Sequence, residues 1–313
     1  MSTTAAPVAR AAGPAVGARG ASPARGRRRG SRGNRPRGHG TRTLLGAVAV
    51  AVALVWAFPV YWMVNSALLS NVQLQSLTPT FTPFGGSLDN FTAVISGSSF
   101  LTALRVSLLV SLVTVAAALV LAFLSALAIS RFRFRGRKSF IVAVLVVQML
   151  PAEGLFIAQY KLVGSLNLLN TVLGVSIIYI AAVVPFTIWM LRGFVAGVPI
   201  ELEEAAMVDG LGRTQAFLRI TLPLLAPGLV ASGVYAFLQA WNEFTVALVL
   251  MQTADMQTLP IWLRTFLQSS AARETDWGQV MAASTLIAVP VIVFFLLVQS
   301  RMTSGLVAGA VKG

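Results

Sequence analysis

Apolar residues are concentrated in six long runs along this chain, each close to the 20 residues that an α-helix needs to cross a membrane. The runs lie at approximately 44–64, 107–129, 140–159, 172–191, 228–251 and 280–298. Four of them contain no charged residue, whereas the third contains Pro151 and Glu153 and the fifth contains Asn242 and Glu243. The pattern therefore predicts an all-α, polytopic membrane protein with six transmembrane helices.

Composition favours the same class of protein. Hydrophobic residues make up 56% of the 313 residues, charged residues make up 11%, and the mean hydropathy is +0.79. A soluble domain carries about 25% charged residues, so an ordinary soluble enzyme is excluded. The chain has no Cys and one His, which excludes a disulfide scaffold and a zinc site. We predict no catalytic residue and no metal ligand.

The formal charge of +14 is concentrated at the start of the chain. Residues 1–42 contain ten arginines and no acidic residue. Nucleic-acid binding would favour aromatic residues among the basic ones for base stacking, and residues 1–43 contain none. We therefore predict that residues 1–43 are a disordered basic tail, cytoplasmic and in contact with anionic membrane lipid, with no nucleic-acid partner.

Basic residues also predict the orientation of the spans. The loop at 131–138 places five basic residues in eight positions, whereas the loop after the third run has only Lys161. Because basic loops stay on the cytoplasmic side, both termini and the loop between the fourth and fifth runs are predicted to be cytoplasmic.

The connection between the fourth and fifth runs carries the most specific pattern in the chain. A short helix is predicted from Pro199, which suits a first helical turn, to Gly210, which accepts the left-handed conformation of a sharp bend. One face of this helix is predicted to hold Leu202, Ala205, Ala206 and Asp209. A second short helix should present Phe217, Ile220 and Leu224, until Pro223 and Pro227 disrupt it.

This connection resembles the "EAA" loop of permease subunits of ABC importers. The defining positions occur at the family's spacing, at Glu204, Ala205, Ala206, Gly210, Ile220, Leu222 and Pro223. Residues 44–313 are similar to the maltose-permease-type subunit of carbohydrate ABC importers, also in Pro151, 241–243 and 305–313. Leu211 stands where the family commonly has a small residue. The resemblance implies that residues 199–227 form an ATPase-coupling loop, to which we assign those seven residues and Asp209.

The family resemblance implies import of a sugar, a di- or oligosaccharide, across the bacterial cell membrane by alternating access. The implied partners are a second permease subunit in a heterodimer, two cytoplasmic ATPase subunits and an extracytoplasmic solute-binding protein. The chain contains no phosphate loop of the G-x-x-x-x-G-K-S/T type. We therefore expect no cofactor on this chain, and expect ATP and Mg²⁺ at the ATPase subunits.

Alternatives remain for the loop and for the whole chain. The loop helix could lie on the membrane surface, but such helices are usually rich in Lys and Arg, whereas residues 201–209 contain four acids and no base. A stand-alone secondary transporter or channel would need coupling charges deep in several spans, or inverted repeats. A basic-tailed membrane adaptor would leave the loop motif unexplained.

Polar and aromatic residues inside the apolar runs predict a substrate path, because such groups in a membrane usually face a wet cavity or another helix. The residues assigned to this path are Gln148, Tyr160, Tyr179, Trp241, Asn242 and Glu243. The alternative for the polar members is that they form hydrogen bonds between helices and only stabilise packing.

Overall fold

The computed structural model describes residues 39–97, 99–271 and 275–310, which form helices joined by turns and short loops, with no β-strand in these ranges. The predicted all-α fold is therefore confirmed. In chain order the helices are α1 His39–Leu68, α2 Asn71–Leu74, α3 Asp89–Gly97, α4 Phe100–Arg131, α5 Arg137–Gln148, α6 Phe156–Ser165, α7 Val172–Gly197, α8 Glu201–Val208, α9 Arg213–Ala216, α10 Leu222–Asn242, α11 Thr245–Leu250, α12 Leu259–Ala271 and α13 Trp277–Ala310.

The chain divides into two units, Met1–Ala53 and Leu54–Gly313, with the boundary inside α1. In the first unit the structure describes residues 39–53, which are helical. The predicted basic tail lies, up to residue 38, outside the described residues. The second unit contains the remainder of α1 and all the other helices.

Five helical segments in the described ranges are long and apolar enough to cross a membrane. They are Thr43–Leu68, Phe100–Arg131, Val172–Gly197, Arg213–Asn242 and Trp277–Ser300. They correspond to the first, second, fourth, fifth and sixth apolar runs. The count of six spans and the cytoplasmic position of both termini stay predictions.

The third apolar run does not form one helix. Helix α5 ends at Gln148, a 3₁₀ turn follows at Ala152–Leu155, and α6 begins at Phe156. Pro151 explains the break, because proline has no N–H to donate and disfavours helical backbone at the residue before it. The third of the six predicted transmembrane helices is therefore replaced by two shorter helices, with the break at the proline that interrupts the run.

The fifth span is displaced from its predicted position. Helix α10 ends at Asn242, whereas the apolar run continues to residue 251. Glu243 has an extended backbone with ψ of 127°, and α11 begins separately at Thr245. The apolar run predicted that Asn242 and Glu243 lie in the interior of a span. In the structure they lie at a helix end.

Helices α4, α7 and α10 form the centre of the core. Ala118, Ala122 and Ala126 follow one face of α4 and are fully buried. Val183 of α7 and Ala236 of α10 cluster with Ala118. Small side chains at these positions allow the helix backbones to approach closely. Close packing of this kind drives helix association in membranes, where the hydrophobic effect between helices is absent.

We predict that Gly174→Ala destabilises the protein and that Gly193→Ala does not, although both glycines lie on α7. A Cβ atom at Gly174 would lie 2.2 Å from the backbone oxygen of Leu168, whereas a Cβ at Gly193 has no atom within 4 Å. The overpacking should cost about 1–3 kcal/mol. Thermal unfolding of the detergent-solubilised variants measures the difference, and equal melting temperatures would contradict the packing of α7 described here.

Candidate functional site

The predicted coupling loop forms a helix, a bend and a second helix. At the end of α8, the N–H of Gly210 donates to the carbonyl of Met207, and the N–H of Leu211 donates to the carbonyl of Ala206, each at 3.1 Å. Gly210 has φ of +93°, the left-handed conformation that this helix ending requires. Leu211 is half-buried, at the position where an apolar residue commonly packs against the last helical turn. Leu211 therefore suits the bend, although the family commonly has a small residue there.

The surface of α8 is open at most of the motif positions. Glu204, Ala205, Asp209 and Gly210 are exposed, whereas Ala206 is buried. A partner can therefore approach the α8 backbone at Ala205 but not at Ala206. Large apolar side chains are exposed beside these residues, at Leu202, Met207 and Val208. The loop thus presents a mixed apolar and acidic surface.

The second helix of the loop continues into a span instead of stopping. A π-helical turn at Phe217–Thr221 joins α9 to α10, and the N–H of Leu222 donates to the carbonyl of Phe217. Pro223 lies in the first turn of α10, where its missing N–H is tolerated, and the π-turn adds a residue just before it. The prediction that prolines disrupt this helix was therefore wrong. Ile220 and Leu222 are half-buried.

Two adjoining cavities lie among α5, α6, α7 and α10. Their volumes are about 420 and 290 Å³, and both are lined by Gln159, Ile178, Ala182 and Gln239. Gln148 lines the larger cavity, at the point where α5 ends. The smaller cavity adds Tyr179, Asn242 and Glu243, at the point where α10 ends. Broken helices therefore bring polar side chains into a mostly apolar region.

Side-chain amides supply most of the polar lining. The Oε1 atom of Gln159 is buried and has no hydrogen-bond partner in the described structure. Gln239 donates to the hydroxyl of Tyr235 at 3.3 Å, and Asn242 donates to the carbonyl of Leu238 at 2.8 Å. Each of these amides keeps a carbonyl oxygen that can accept from a ligand hydroxyl. A few polar groups in a mostly apolar pocket are typical of a small-molecule site.

Glu243 lines the smaller cavity, but its hydrogen bonds are to neighbouring helices. Its carboxylate accepts hydrogen bonds from the N–H groups of Val246 at 2.7 Å and Ala247 at 3.1 Å, at the start of α11. The hydroxyl of Tyr179 donates to the same carboxylate at 2.5 Å. These contacts support the alternative in which Glu243 stabilises packing, and they occupy the one carboxylate among the described lining residues.

The structure separates two predicted path residues from the cavities. Trp241 is buried and stacks on Phe237 with the ring centroids 5.4 Å apart. Tyr160 is partly exposed and is not among the lining residues. Trp241 points away because it lies two residues after Gln239, about 200° around the axis of α10, and packs in the core with Phe237.

Two lining residues, Gln159 and Gln239, were missed in the sequence. Gln239 lies three residues before Asn242, so helical periodicity places the two on one face of α10. That spacing was a usable signal. Gln159 lies at the predicted boundary of the third span, and its helix, α6, begins only after the break at Pro151.

The helices, the exposed loop and the polar cavities define a multi-pass membrane protein of the transport class. Residues 118–305 match the family described as "Binding-protein-dependent transport system inner membrane component". The chain belongs to this family, which confirms the resemblance to permease subunits of carbohydrate ABC importers.

The similar proteins align with this chain over most of its length and over nearly all of their own. The chain is 42% identical to the diacetylchitobiose uptake system permease protein of Streptomyces coelicolor, over 87% of this chain and 99% of that protein. It is 34% identical to the trehalose transport system permease protein of Mycobacterium tuberculosis, over 86% and 96%. Among solved structures, a bacterial ABC transporter involved in the import of the acidic polysaccharide alginate matches with a TM-score of 0.70 at 22% identity, over 85% of this chain and 98% of that one. This last likeness concerns the fold.

We predict that Glu243→Ala lowers the free energy of unfolding by about 2–4 kcal/mol, because two helix N–H groups and the Tyr179 hydroxyl lose their acceptor. Asn242→Ala should change it by less than about 1 kcal/mol, because its described hydrogen bond stays within α10. Thermal unfolding in detergent compares the two. Similar losses in both variants would show that Glu243 has no special structural role.

Proposed function

We propose that the chain is the transmembrane permease subunit of an ATP-binding cassette importer that translocates a sugar, either a disaccharide or an oligosaccharide, by alternating access. The observation that carries the proposal is the loop at residues 199–227, where Gly210 bends the chain so that Glu204 and Ala205 are exposed. A short helix–bend–helix of this kind suits docking to a separate subunit, because it can move with that subunit as a rigid body.

The proposed cargo is supported by two observations. The relatives named above are permeases for diacetylchitobiose and for trehalose. The cavities of this chain are lined by amide side chains, which pair with hydroxyl groups as both donors and acceptors. A sugar offers many hydroxyl groups and apolar ring faces, which fit a lining of this kind.

The proposed assembly contains a second permease subunit, two cytoplasmic ATPase subunits and an extracytoplasmic solute-binding protein. The family of this chain is named for its dependence on a binding protein, which supports the last of these partners. In this assembly ATP and Mg²⁺ bind the ATPase subunits, and this chain carries no cofactor. Both termini lie in the cytoplasm, with coupling through the exposed α8 surface.

We expect Gly210→Pro and Glu204→Lys each to reduce ATP-dependent sugar uptake more than tenfold, with the protein still in the membrane. Proline cannot adopt the positive φ at position 210 and removes the N–H that bonds Met207. Lysine reverses an exposed charge at the docking surface, a change that typically weakens an interface severely.

Uptake is measured in proteoliposomes that hold the complex copurified from native membranes, with radiolabelled diacetylchitobiose, trehalose and further di- and oligosaccharides. Gly193→Ala, an exposed position on α7, is the control. Normal uptake in both loop variants would contradict the assignment of the coupling loop. Uptake by the wild type that continues without ATP would favour the stand-alone transporter.

We expect Gln148→Ala, Gln239→Ala and Asn242→Ala each to change the KM or the rate of sugar uptake about two- to tenfold, the worth of one hydrogen bond. The exposed Gln268 on α12 supplies a matched control in Gln268→Ala. Uptake kinetics equal to those of the wild type in all three cavity variants would leave these amides with a packing role.

A further inference from the structure

Two successive glutamates on α8 have different surroundings. Glu204 is exposed, whereas the side chain of Glu203 is only 15% exposed and turns towards the spans. Consecutive residues of a helix are separated by about 100° around its axis, so neighbouring positions can serve different surfaces. Glu204 belongs to the EAA motif and Glu203 does not, so the family resemblance leaves the inward-facing carboxylate without a role.

Glu203 lies at the centre of a small polar cluster. Its Oε1 atom lies 3.3 Å from Nη2 of Arg131, the last residue of α4, and accepts a hydrogen bond from the Thr221 hydroxyl at 2.8 Å. The same Nη2 of Arg131 donates to the carbonyl of Val198 at 3.1 Å. The cluster thus joins α8 to the ends of α4 and α7 and to the π-turn that begins α10.

The surroundings make these contacts stronger than a surface ion pair. The side chains of Arg131 and Glu203 are only 17% and 15% exposed. An apolar cluster that includes Ile129, Leu191 and Leu225 lies beside them, on α4, α7 and α10. Water therefore screens the pair poorly, and hydrogen bonds to charged groups are the strong ones in proteins.

The Arg131–Glu203 contact links segments that are far apart along the chain. The loop is joined covalently to α7 and α10, but α4 ends 67 residues before Val198. The Nε atom of Arg131 is buried and has no partner in the described structure. The Nε–H is therefore a further donor, which can bind the second Glu203 oxygen if α8 rotates, so the contact can persist through a movement.

We propose that Arg131 and Glu203 are positioning residues that transmit movement of the coupling loop to α4 and α7. This inference rests on the proposed function, and it assigns to Glu203 a role separate from docking. In the absence of the pair, α8 can still dock and ATP is still hydrolysed, but movement of the loop no longer moves α4 and α7.

The test is the number of sugar molecules taken up per ATP hydrolysed, because this ratio does not depend on how much complex assembles. We expect Arg131→Gln and Glu203→Gln each to lower the ratio about tenfold, the worth of one charged hydrogen bond. The double variant should be no worse than either single one, since the two residues act through one contact. Arg135→Gln, an exposed change in the same basic loop, should match the wild type.

Three outcomes are informative in this assay. Wild-type complex that takes up none of the tested sugars with ATP would overturn the proposed function itself. Wild-type uptake with an unchanged ratio in both single variants would overturn only the present inference. Losses that add up in the double variant would also overturn it, because independent effects are additive.

A second measurement covers variants that fail to assemble. The chain has no cysteine, so spin labels on Val208→Cys in α8 and Phe132→Cys after α4 can report the distance between them in the isolated full chain. Both positions are exposed. We expect a broader distance distribution with Glu203→Gln and an unchanged one with Arg135→Gln. Equal distributions in both variants would contradict the proposed link.

Discussion

The need to satisfy every backbone hydrogen bond is the constraint on which this structure depends. In hydrocarbon no water replaces a missing partner, so a chain can leave the helical conformation only where another group takes over its free N–H or carbonyl groups. Glu243 does so for Val246 and Ala247 at the break after α10. At the end of α7, beside the loop that we propose is cytoplasmic, Arg131 likewise binds the carbonyl of Val198. Both of these breaks lie beside candidate functional positions.

The cavities follow from the same constraint. A continuous helix would present mostly apolar side chains at this depth, whereas a broken one ends with polar groups that must be accommodated. Pro151 breaks the third apolar run beside Gln148, and the extended backbone of Glu243 ends α10 beside Asn242. The two breaks border adjoining cavities, and the amides there remain available to a ligand because Glu243 takes the backbone groups of α11.

Local patterns were predictable from the sequence, and tertiary ones were not. The bend at Gly210 was predicted because a helix ending depends on a few consecutive residues. The end of α10 was missed because a hydropathy pattern reports side-chain polarity and not backbone conformation. The apolar run continues past Glu243, where the helix ends. The position of Gln159 in the same cavity lining as Gln239 depends on the packing of α6 against the other helices, which no local pattern encodes. The Arg131–Glu203 contact was missed for the same reason.

Helices α7 and α10 each connect the loop to the cavities. Tyr179 lines a cavity and Val198 contacts Arg131, and the 19 residues between them correspond to about 28 Å of helix. In the proposed mechanism, a rotation of about 10° around one end of such a helix would move the other end by about 5 Å, enough to open or close a path for a sugar ring. Helix α10 connects Thr221 to Gln239 over a similar length. In the proposed mechanism, movement at the cavity end requires a contact that holds the loop end, and this requirement falls on Arg131 and Glu203.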